Sequence, residues 1–537
     1  MHQGLSLCAG RKEMKKLGIV ALITILAVSA GCGAKNEKTE TSVVDTIEEK
    51  SIETEKEPVL EEKKLILTQA FKGRAATNPV MTQAYGADPF VMVYKDTAYI
   101  YMTADAYEYD EDGNIKENSY SKIRSIHVLA TKDMKNFEDF GEVIVGGEGG
   151  AAKWAKNSWA PAAAWKTIDG KDKFFLYFAD NGGGIGVLEA DSPVGPFHDP
   201  IGKALISRDV PTCAEVLWLF DPAVLVDDDG TGYIYFGGGV PQGKDAFPGT
   251  GRVAKLGADM VSLDGDPVAL DVPCLFEDSG IHKFNNKYYY TYCTNWSVPE
   301  ESKKEYGFEV GEIACMVSDS PMGPFTYQER ILKNPGTACG LYGNNHHAVF
   351  TMGGKWYIAY HSRALEKSQG IEHGYRITYI NEVDIKEDGT IGVIAQSEIG
   401  PDQLCYVDPF SENSAVCVAI MAGTNAVKHP LDKERANLVL GEIDDGDYIQ
   451  ISGVDFGEGA AKKVKLTVVT GENTSGKVHV RVTYAKEDDV ALLELKDLPK
   501  GEEVTVEAEL TKTLEGVQYL FFVFEGKDYT VKSWCFE

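Results

Sequence analysis

The 537 residues predict an all-β protein, a five-bladed β-propeller followed by a β-sandwich (jelly-roll) domain. Three observations carry this expectation. A hairpin unit recurs five times between residues 87 and 360. Apolar residues at the 3.6-residue helical spacing are nearly absent from 80 to 400. From about residue 411 the chain returns to short alternating strands. A chain of this length also exceeds one ordinary core, so more than one domain is required.

Each unit has a polar residue, a short apolar strand, a tight turn and an aromatic strand. In order these are "ADPFVMVYKDTAYIYM" (87–102), "APAAAWKTIDGKDKFFLYF" (160–178), "FDPAVLVDDDGTGYIYF" (220–236), "FEDSGIHKFNNKYYYTY" (276–292) and "GNNHHAVFTMGGKWYIAY" (343–360). The turns are Lys-Asp, Asp-Gly, Asn-Asn or Gly-Gly, the chemistry of two-residue hairpins. Aromatics at alternate positions of each second strand predict burial of one face. A further strand follows each hairpin, and "DSPVGPF" (191–197) and "DSPMGPF" (319–325) are nearly identical. Four strands in a repeat of about 55–75 residues make a propeller blade rather than a solenoid turn. A generic sandwich of turn-rich hairpins is the competing architecture. Five repeats in regular order argue against it.

In a propeller the first strand of each blade lines the central channel. The starts of these strands offer Asp88, the Trp159-Ala160-Pro161 corner, Asp221, Glu277 and His346. A single "DP" more often only begins a strand, with Asp capping and Pro rigidifying. Asp88 and Asp221 at equivalent positions, with Glu277 in a third unit, favour chemistry. Three carboxylates in one mouth cannot all keep ordinary pKa values. One is expected to hold its proton at neutral pH while another stays ionised and activates water. Glycoside hydrolysis needs that division.

The strings "ADPFV", "WAPA", "FDPAVLVDDDG", "FEDSGIHK" and "NNHHAVF", in this order across about residues 70–405, resemble glycoside hydrolase family 43. The resemblance implies a five-bladed propeller that cleaves arabinofuranosyl or xylosyl bonds with inversion. It implies Asp88 as general base, Glu277 as general acid, and Asp221 as the residue that orients the acid and raises its pKa. It also implies a calcium ion, or a water cluster, in the channel centre, held through His346, and no organic cofactor. Inversion requires the two carboxyls about 6.5–9.5 Å apart. Trp159, Trp218 and Trp296 are the expected sugar-stacking wall, and Arg363 is the expected partner of a sugar hydroxyl. Each of these aromatics could equally be core.

The flanks complete the reading. "MKKLGIVALITILAVSAGC" begins at Met14 with two lysines, and its apolar run over 17–28 is too short to span a bilayer. It resembles a bacterial lipoprotein signal over 1–32, with Cys32 acylated and residues 1–13 upstream of the true start. Plain secretion is the alternative. Residues 33–66, rich in Glu, Lys and Thr, read as a disordered tether. The propeller is assigned to 67–405 and the sandwich to 406–537. "GDYIQISGVDFGEGAAKKVKLTVV" resembles family 6 carbohydrate-binding modules, with two departures. "SAVCV" (414–418) replaces the acidic opening that would ligate a structural calcium, and Thr530 stands where an asparagine would grip sugar. No CxxC pair occurs, so no zinc site is indicated, and whether Cys417 and Cys535 are bridged is left open.

The formal net charge of -29 excludes nucleic acid as a natural partner. The expected partners are plant cell-wall polysaccharide, arabinoxylan or xylan, and the outer face of a membrane through a lipid anchor. The leading function is release of α-L-arabinofuranose from arabinoxylan or related hemicellulose. A β-xylosidase acting on xylo-oligosaccharides and a non-catalytic glycan-binding lipoprotein are the alternatives. A transporter's solute-binding lipoprotein would need amphipathic helices that the middle of the chain lacks.

Overall fold

The computed structural model describes residues 65–432 and 437–537. The expected signal segment, Cys32, and the expected tether up to residue 64 lie outside the described residues.

Five antiparallel sheets follow one another along the chain. The first blade holds β1 (Ala87–Tyr94), β2 (Thr97–Thr103), β3 (Ser125–Thr131) and β4 (Phe137–Ile144). The second holds β5 (Trp159–Ile168), β6 (Lys171–Ala179) and β7 (Ile185–Ala190). The third holds β8 (Ala223–Val226), β9 (Gly232–Phe236), β10 (Gly251–Lys255) and β11 (Val268–Leu270). The fourth holds β12 (Leu275–Phe284), β13 (Lys287–Thr294), β14 (Ile313–Ser318) and β15 (Thr326–Leu332). The fifth holds β16 (His347–Met352), β17 (Lys355–Ser362) and β18 (Ile377–Val383). The first strands neighbour one another in a closed ring, β1 to β5 to β8 to β12 to β16 and back to β1. This is a five-bladed propeller.

The hairpin turns are as the sequence predicts. Asp169 and Gly170, Asn285 and Asn286, and Gly353 and Gly354 all have positive φ, the twist that joins antiparallel strands in two residues. One-sided burial is not observed in the second strands. Tyr288 through Thr294 are all buried, as are Phe174 through Ala179. Each blade packs between two others, so its middle strands face protein on both sides. The two near-identical segments do the same work in different blades. Tyr101 Oη of β2 donates to Pro193 O at 2.7 Å, and Tyr235 Oη of β9 donates to Pro321 O at 2.6 Å.

The ring is closed by the segment before β1. Asn78 Nδ2 donates to Ile380 O at 2.8 Å, and Ile380 N donates back to Asn78 Oδ1 at 2.8 Å. Val80 N donates to Thr378 O, so the start of the domain completes the last blade.

The C-terminal domain contains β19 (Asn413–Ser414), β20 (Cys417–Val418), β21 (Ile420–Ala422), β22 (Asn425–Lys428), β23 (Leu438–Gly441), β24 (Tyr448–Asp455), β25 (Lys463–Val482), β26 (Ala491–Leu495), β27 (Glu503–Glu509) and β28 (Val517–Phe536). β25 and β28 are 20 residues each and pair along most of their length, with a break between Thr470 and Ser475. Their two halves, with β24 and β26, enclose one core around Val468, Val480, Phe522 and Trp534. Cys417 and Cys535 are both free thiols. Cys417 is drawn away from the domain's own sheet, because β20 pairs with β4 and adds a fifth strand to the first blade.

Candidate active site

Three of the five first strands begin with the same backbone device. Asp88 (φ 48°), Ala160 (φ 33°) and Asp221 (φ 49°) are left-handed, and each precedes a proline. A non-glycine residue in this region costs of order 1–3 kcal/mol and is kept where structure over-determines it. Register slips accompany it, between Ala87 and Phe90 in β1 and between Trp159 and Ala162 in β5. The kink turns Asp88 and Asp221 out of their sheets into a shared cavity. In the fourth blade slips flank Glu277 on both sides, and the left-handed residue is its successor, Asp278 (φ 64°).

The cavity holds about 520 Å³, within the range of small-molecule sites. Asp88, Asp221 and Glu277 line it, each 5–7% exposed. His346 links two of them, with Nδ1 at 3.8 Å from Asp88 Oδ1 and 3.9 Å from Asp221 Oδ2. Asn345 N donates to Glu277 Oε1 at 3.3 Å, and Asp278 N donates to Asp221 Oδ2 at 3.0 Å. Trp159, Trp218, Trp296 and Phe276 supply the apolar wall. Trp218 is set edge-on to Phe220 and Phe276, with centroids 5.3 Å apart in both pairs. Trp159 Nε1 donates to Tyr120 O at 3.0 Å.

The carboxyls are driven in opposite directions. Burial works to raise the Asp88 pKa, but the Arg376 guanidinium, His361 and His346 together outweigh it and hold the carboxyl well below the usual range. Arg376 Nη1 donates to Asp88 Oδ1 at 2.9 Å. Its Nε and Nη2 form a fork onto Asp105 at 2.9 Å each, and its Cζ lies 4.6 Å from the centroid of the Tyr120 ring. Asp88 N donates to His361 Nδ1 at 3.0 Å. The opposite nitrogen of that ring, Nε2, donates to Asn344 O at 2.7 Å, which fixes the tautomer. Glu277 is pushed well above the carboxylate range by burial and then by the charges of Asp221, Asp88 and Asp278. Asp221 is pushed well above it by burial and by Asp88. One cavity thus holds an ionised carboxylate, Asp88, beside Glu277, which keeps its proton, the pattern that separates a base from an acid.

Residues 76–391 match glycosyl hydrolases family 43, and residues 415–537 match carbohydrate binding module (family 6). The chain belongs to glycosyl hydrolases family 43. This family 43 glycosidase is 46% identical over 467 residues to an arabinoxylan arabinofuranohydrolase of Paenibacillus polymyxa, across 84% of this chain and 72% of the relative. It is 43% identical over 471 residues to the arabinoxylan arabinofuranohydrolase of Bacillus subtilis (strain 168), across 84% and 89%. The crystal structure of a family 43 arabinoxylan arabinofuranohydrolase from Bacillus subtilis, in complex with cellotetraose, superposes with a TM-score of 0.83 at 41% identity. The match covers 88% of this chain and 99% of that one.

Seven of the residues that the sequence singles out in the family 43 domain come together here: Asp88, Asp221, Glu277, Trp159, Trp218, Trp296 and His346. Arg363 does not join them. Its Nε donates to Glu366 Oε1 at 2.5 Å and its Nη1 donates to Tyr342 O at 3.2 Å, and it is not among the residues that line the cavity. The guanidinium in the cavity is Arg376, which lies in an irregular loop before β18, outside the repeat that marks the other residues.

His346 faces Asp278, with Nε2 at 3.1 Å from Oδ1, while Asp278 Oδ2 accepts from His347 Nδ1 at 2.5 Å. Calcium takes six to eight oxygen ligands. Among the described residues no group of three or more His, Cys, Asp or Glu side chains could hold a metal ion. The protein side chains around His346 do not by themselves supply a calcium ion's ligands. Both histidines of the pair are buried, so "NNHH" is an interior feature. Asp278 is the residue that sequence reasoning missed although it stands inside a quoted motif. Two successive acids at an inner strand start were the available signal.

In the C-terminal domain Thr530 lines a cleft of about 470 Å³, and its buried Oγ1 has no hydrogen-bond partner. Tyr529, the aromatic residue lining that cleft, is 5% exposed and offers no open face for a sugar ring.

Proposed function

We propose that this family 43 enzyme releases α-L-arabinofuranose from arabinoxylan with inversion of configuration, and that Asp88, Glu277 and Asp221 carry the chemistry. One observation carries the reading: the cavity contains an ionised carboxylate clamped by Arg376 and a buried carboxyl whose pKa is strongly raised. The two relatives named as arabinoxylan arabinofuranohydrolases support the choice of sugar and polymer.

The proton path follows from the charges. Glu277 gives its proton to the glycosidic oxygen as the bond to the anomeric carbon breaks. Asp88 takes a proton from the water that attacks that carbon from the opposite face. The xylan chain leaves with a hydroxyl, arabinose carries the water oxygen, and the site resets as Asp88 gives its proton to solvent and Glu277 takes one back. Asp221 helps to keep the acid protonated, because once Asp221 ionises its charge raises Glu277 further, and its carboxyl is tied to the backbone beside the acid. The Trp159, Trp218 and Trp296 wall would stack on sugar faces. The chain is also proposed to be exported and anchored by a lipid on Cys32, with residues 33–66 as the tether. Radiolabelled palmitate incorporated by the wild type and not by Cys32→Ala would support the anchor; equal labelling of both would remove it.

Proton NMR of arabinoxylan during the first minutes of digestion tests the main reading. Free arabinose with the anomeric form opposite to the bound sugar is the expected product. Release of xylose alone would favour a β-xylosidase, and retention of configuration would remove Asp88 from the role of base.

A further inference from the structure

Glu366 is fully buried, and its two carboxyl oxygens divide their work. Oε2 accepts the amides of three successive residues, His373 N at 2.8 Å, Gly374 N at 2.8 Å and Tyr375 N at 2.9 Å. Oε1 accepts from Arg363 Nε, three residues earlier across a short helix (Ala364–Ser368). The next residue after the three amides is Arg376, whose own N donates to Asp105 Oδ2 at 3.1 Å and whose Nη1 reaches Asp88. The loop is also gripped from the first blade. Asn118 N donates to His373 O at 2.8 Å, and Tyr375 Oη donates to Lys116 O at 2.9 Å. Gly374 adopts φ 90°, which a side chain would resist, so the loop has one conformation that brings all three amides to one oxygen.

We propose that Arg363 and Glu366 are positioning residues: Arg363 fixes Glu366, Glu366 fixes the 373–375 amides, and these set the guanidinium of Arg376 against Asp88. This rests on the reading of Asp88 as the base. A buried group that accepts several hydrogen bonds, one from a guanidinium, is strongly directional, and loss of one partner leaves the others misplaced. The side chain that the sequence suggested as a sugar ligand is thereby given a different task. It acts on the nucleophilic water through Glu366, the 373–375 loop, Arg376 and Asp88.

The test is a double-mutant cycle on the full chain, read as arabinose released from arabinoxylan. Arg363→Met and Glu366→Gln are each expected to lower kcat about 10- to 100-fold, part of the 10²–10⁴ that a general base contributes. KM should stay within about threefold, since neither residue lines the cavity. Arg363→Lys keeps a donor and should recover most of the rate. In an Arg376→Lys background, Arg363→Met should cost less than about twofold more, because residues acting through one group are non-additive. A merely structural role would multiply the two losses, and that outcome overturns the proposal, as does wild-type kcat in Arg363→Met. If Glu366→Gln fails to fold, judged by near-UV circular dichroism, the Arg363 arm decides alone. A wild type that releases no arabinose would instead sink the functional reading itself.

Discussion

The guanidinium of Arg376 lies 2.9 Å from one carboxylate oxygen of Asp88, across 288 positions of chain. It joins the first blade to the last and places a fixed charge beside the ionised group of the cavity. Arg376→Lys keeps the charge and loses the fork, so one ammonium must choose between Asp105 and Asp88. With that attraction weakened, burial is opposed only by His361 and His346, and the Asp88 pKa rises. The acid limb of kcat/KM should move to higher pH, by about one unit for each 1.4 kcal/mol of lost interaction. The pH profile on a nitrophenyl arabinofuranoside checks this. An unmoved acid limb would separate Arg376 from the base.

Asp221 acts on the opposite limb. Its charge is the largest contribution after burial in raising Glu277, and its carboxyl accepts the N–H of the residue next to Glu277. Asp221→Asn keeps an acceptor oxygen for that N–H and removes the charge that Asp221 gains on ionising. Glu277 should then lose its proton at lower pH, so the basic limb of kcat/KM falls while the acid limb stays. The loss in kcat at neutral pH should be larger for poor leaving groups, which depend most on protonation. Comparison of arabinoxylan with a nitrophenyl glycoside reads that difference.

Much of this site was legible because it sits on a repeat. Asp88, Asp221 and Glu277 mark the same place in three hairpin units, so the topology that explains the repeat also brings them together. Trp159, Trp218 and His346 follow for the same reason. Arg376, Asp105 and Tyr120 were not legible, because they occupy irregular loops whose positions depend on contacts between blades. That Arg363 stays out of the cavity lining was not legible, because a guanidinium just after a hairpin looks available, while its buried acceptor three residues on, Glu366, gives no signal in one sequence. The fold was legible to the level of blades. The strand that the C-terminal domain lends to the first blade was not, because two residues, Cys417 and Val418, are too short a run to announce a partner.

Ring closure makes a separate prediction about stability. The Asn78 side chain is 1% exposed and makes hydrogen bonds to Ile380 O, Ser397 O and Ile380 N. Asn78→Ala removes all three and leaves buried backbone groups without partners. The expected loss is about 2–4 kcal/mol, from roughly 1 kcal/mol per bond plus the desolvation of orphaned groups. Urea denaturation read by tryptophan fluorescence measures it. A change under about 0.5 kcal/mol would mean that the segment before β1 does not hold the ring.

The opposed shifts of Glu277 and Asp88 also set opposed dependences of stability on pH. Glu277 keeps its proton in the folded protein to a higher pH than in the unfolded chain, where it titrates near about 4.3. Its contribution is full below that pH and is lost as pH rises toward the folded value. Glu277→Gln has no proton to lose and still offers an oxygen to Asn345 N. Its Tm should match the wild type near pH 4 and exceed it at pH 7, by about 2 °C or more if the burial of charge is worth 1 kcal/mol. Asp88 has the reverse sign. Its lowered pKa adds stability above about 3.9 that disappears as pH falls. Asp88→Asn should therefore melt below the wild type at pH 7, with the gap closing in acid. Thermal scans of Glu277→Gln from about pH 4 to pH 8, and of Asp88→Asn from about pH 8 down to about pH 2, test the pair. Two gaps of the same sign, or gaps that do not change with pH, would mean that the cavity does not hold its carboxyls in different charge states.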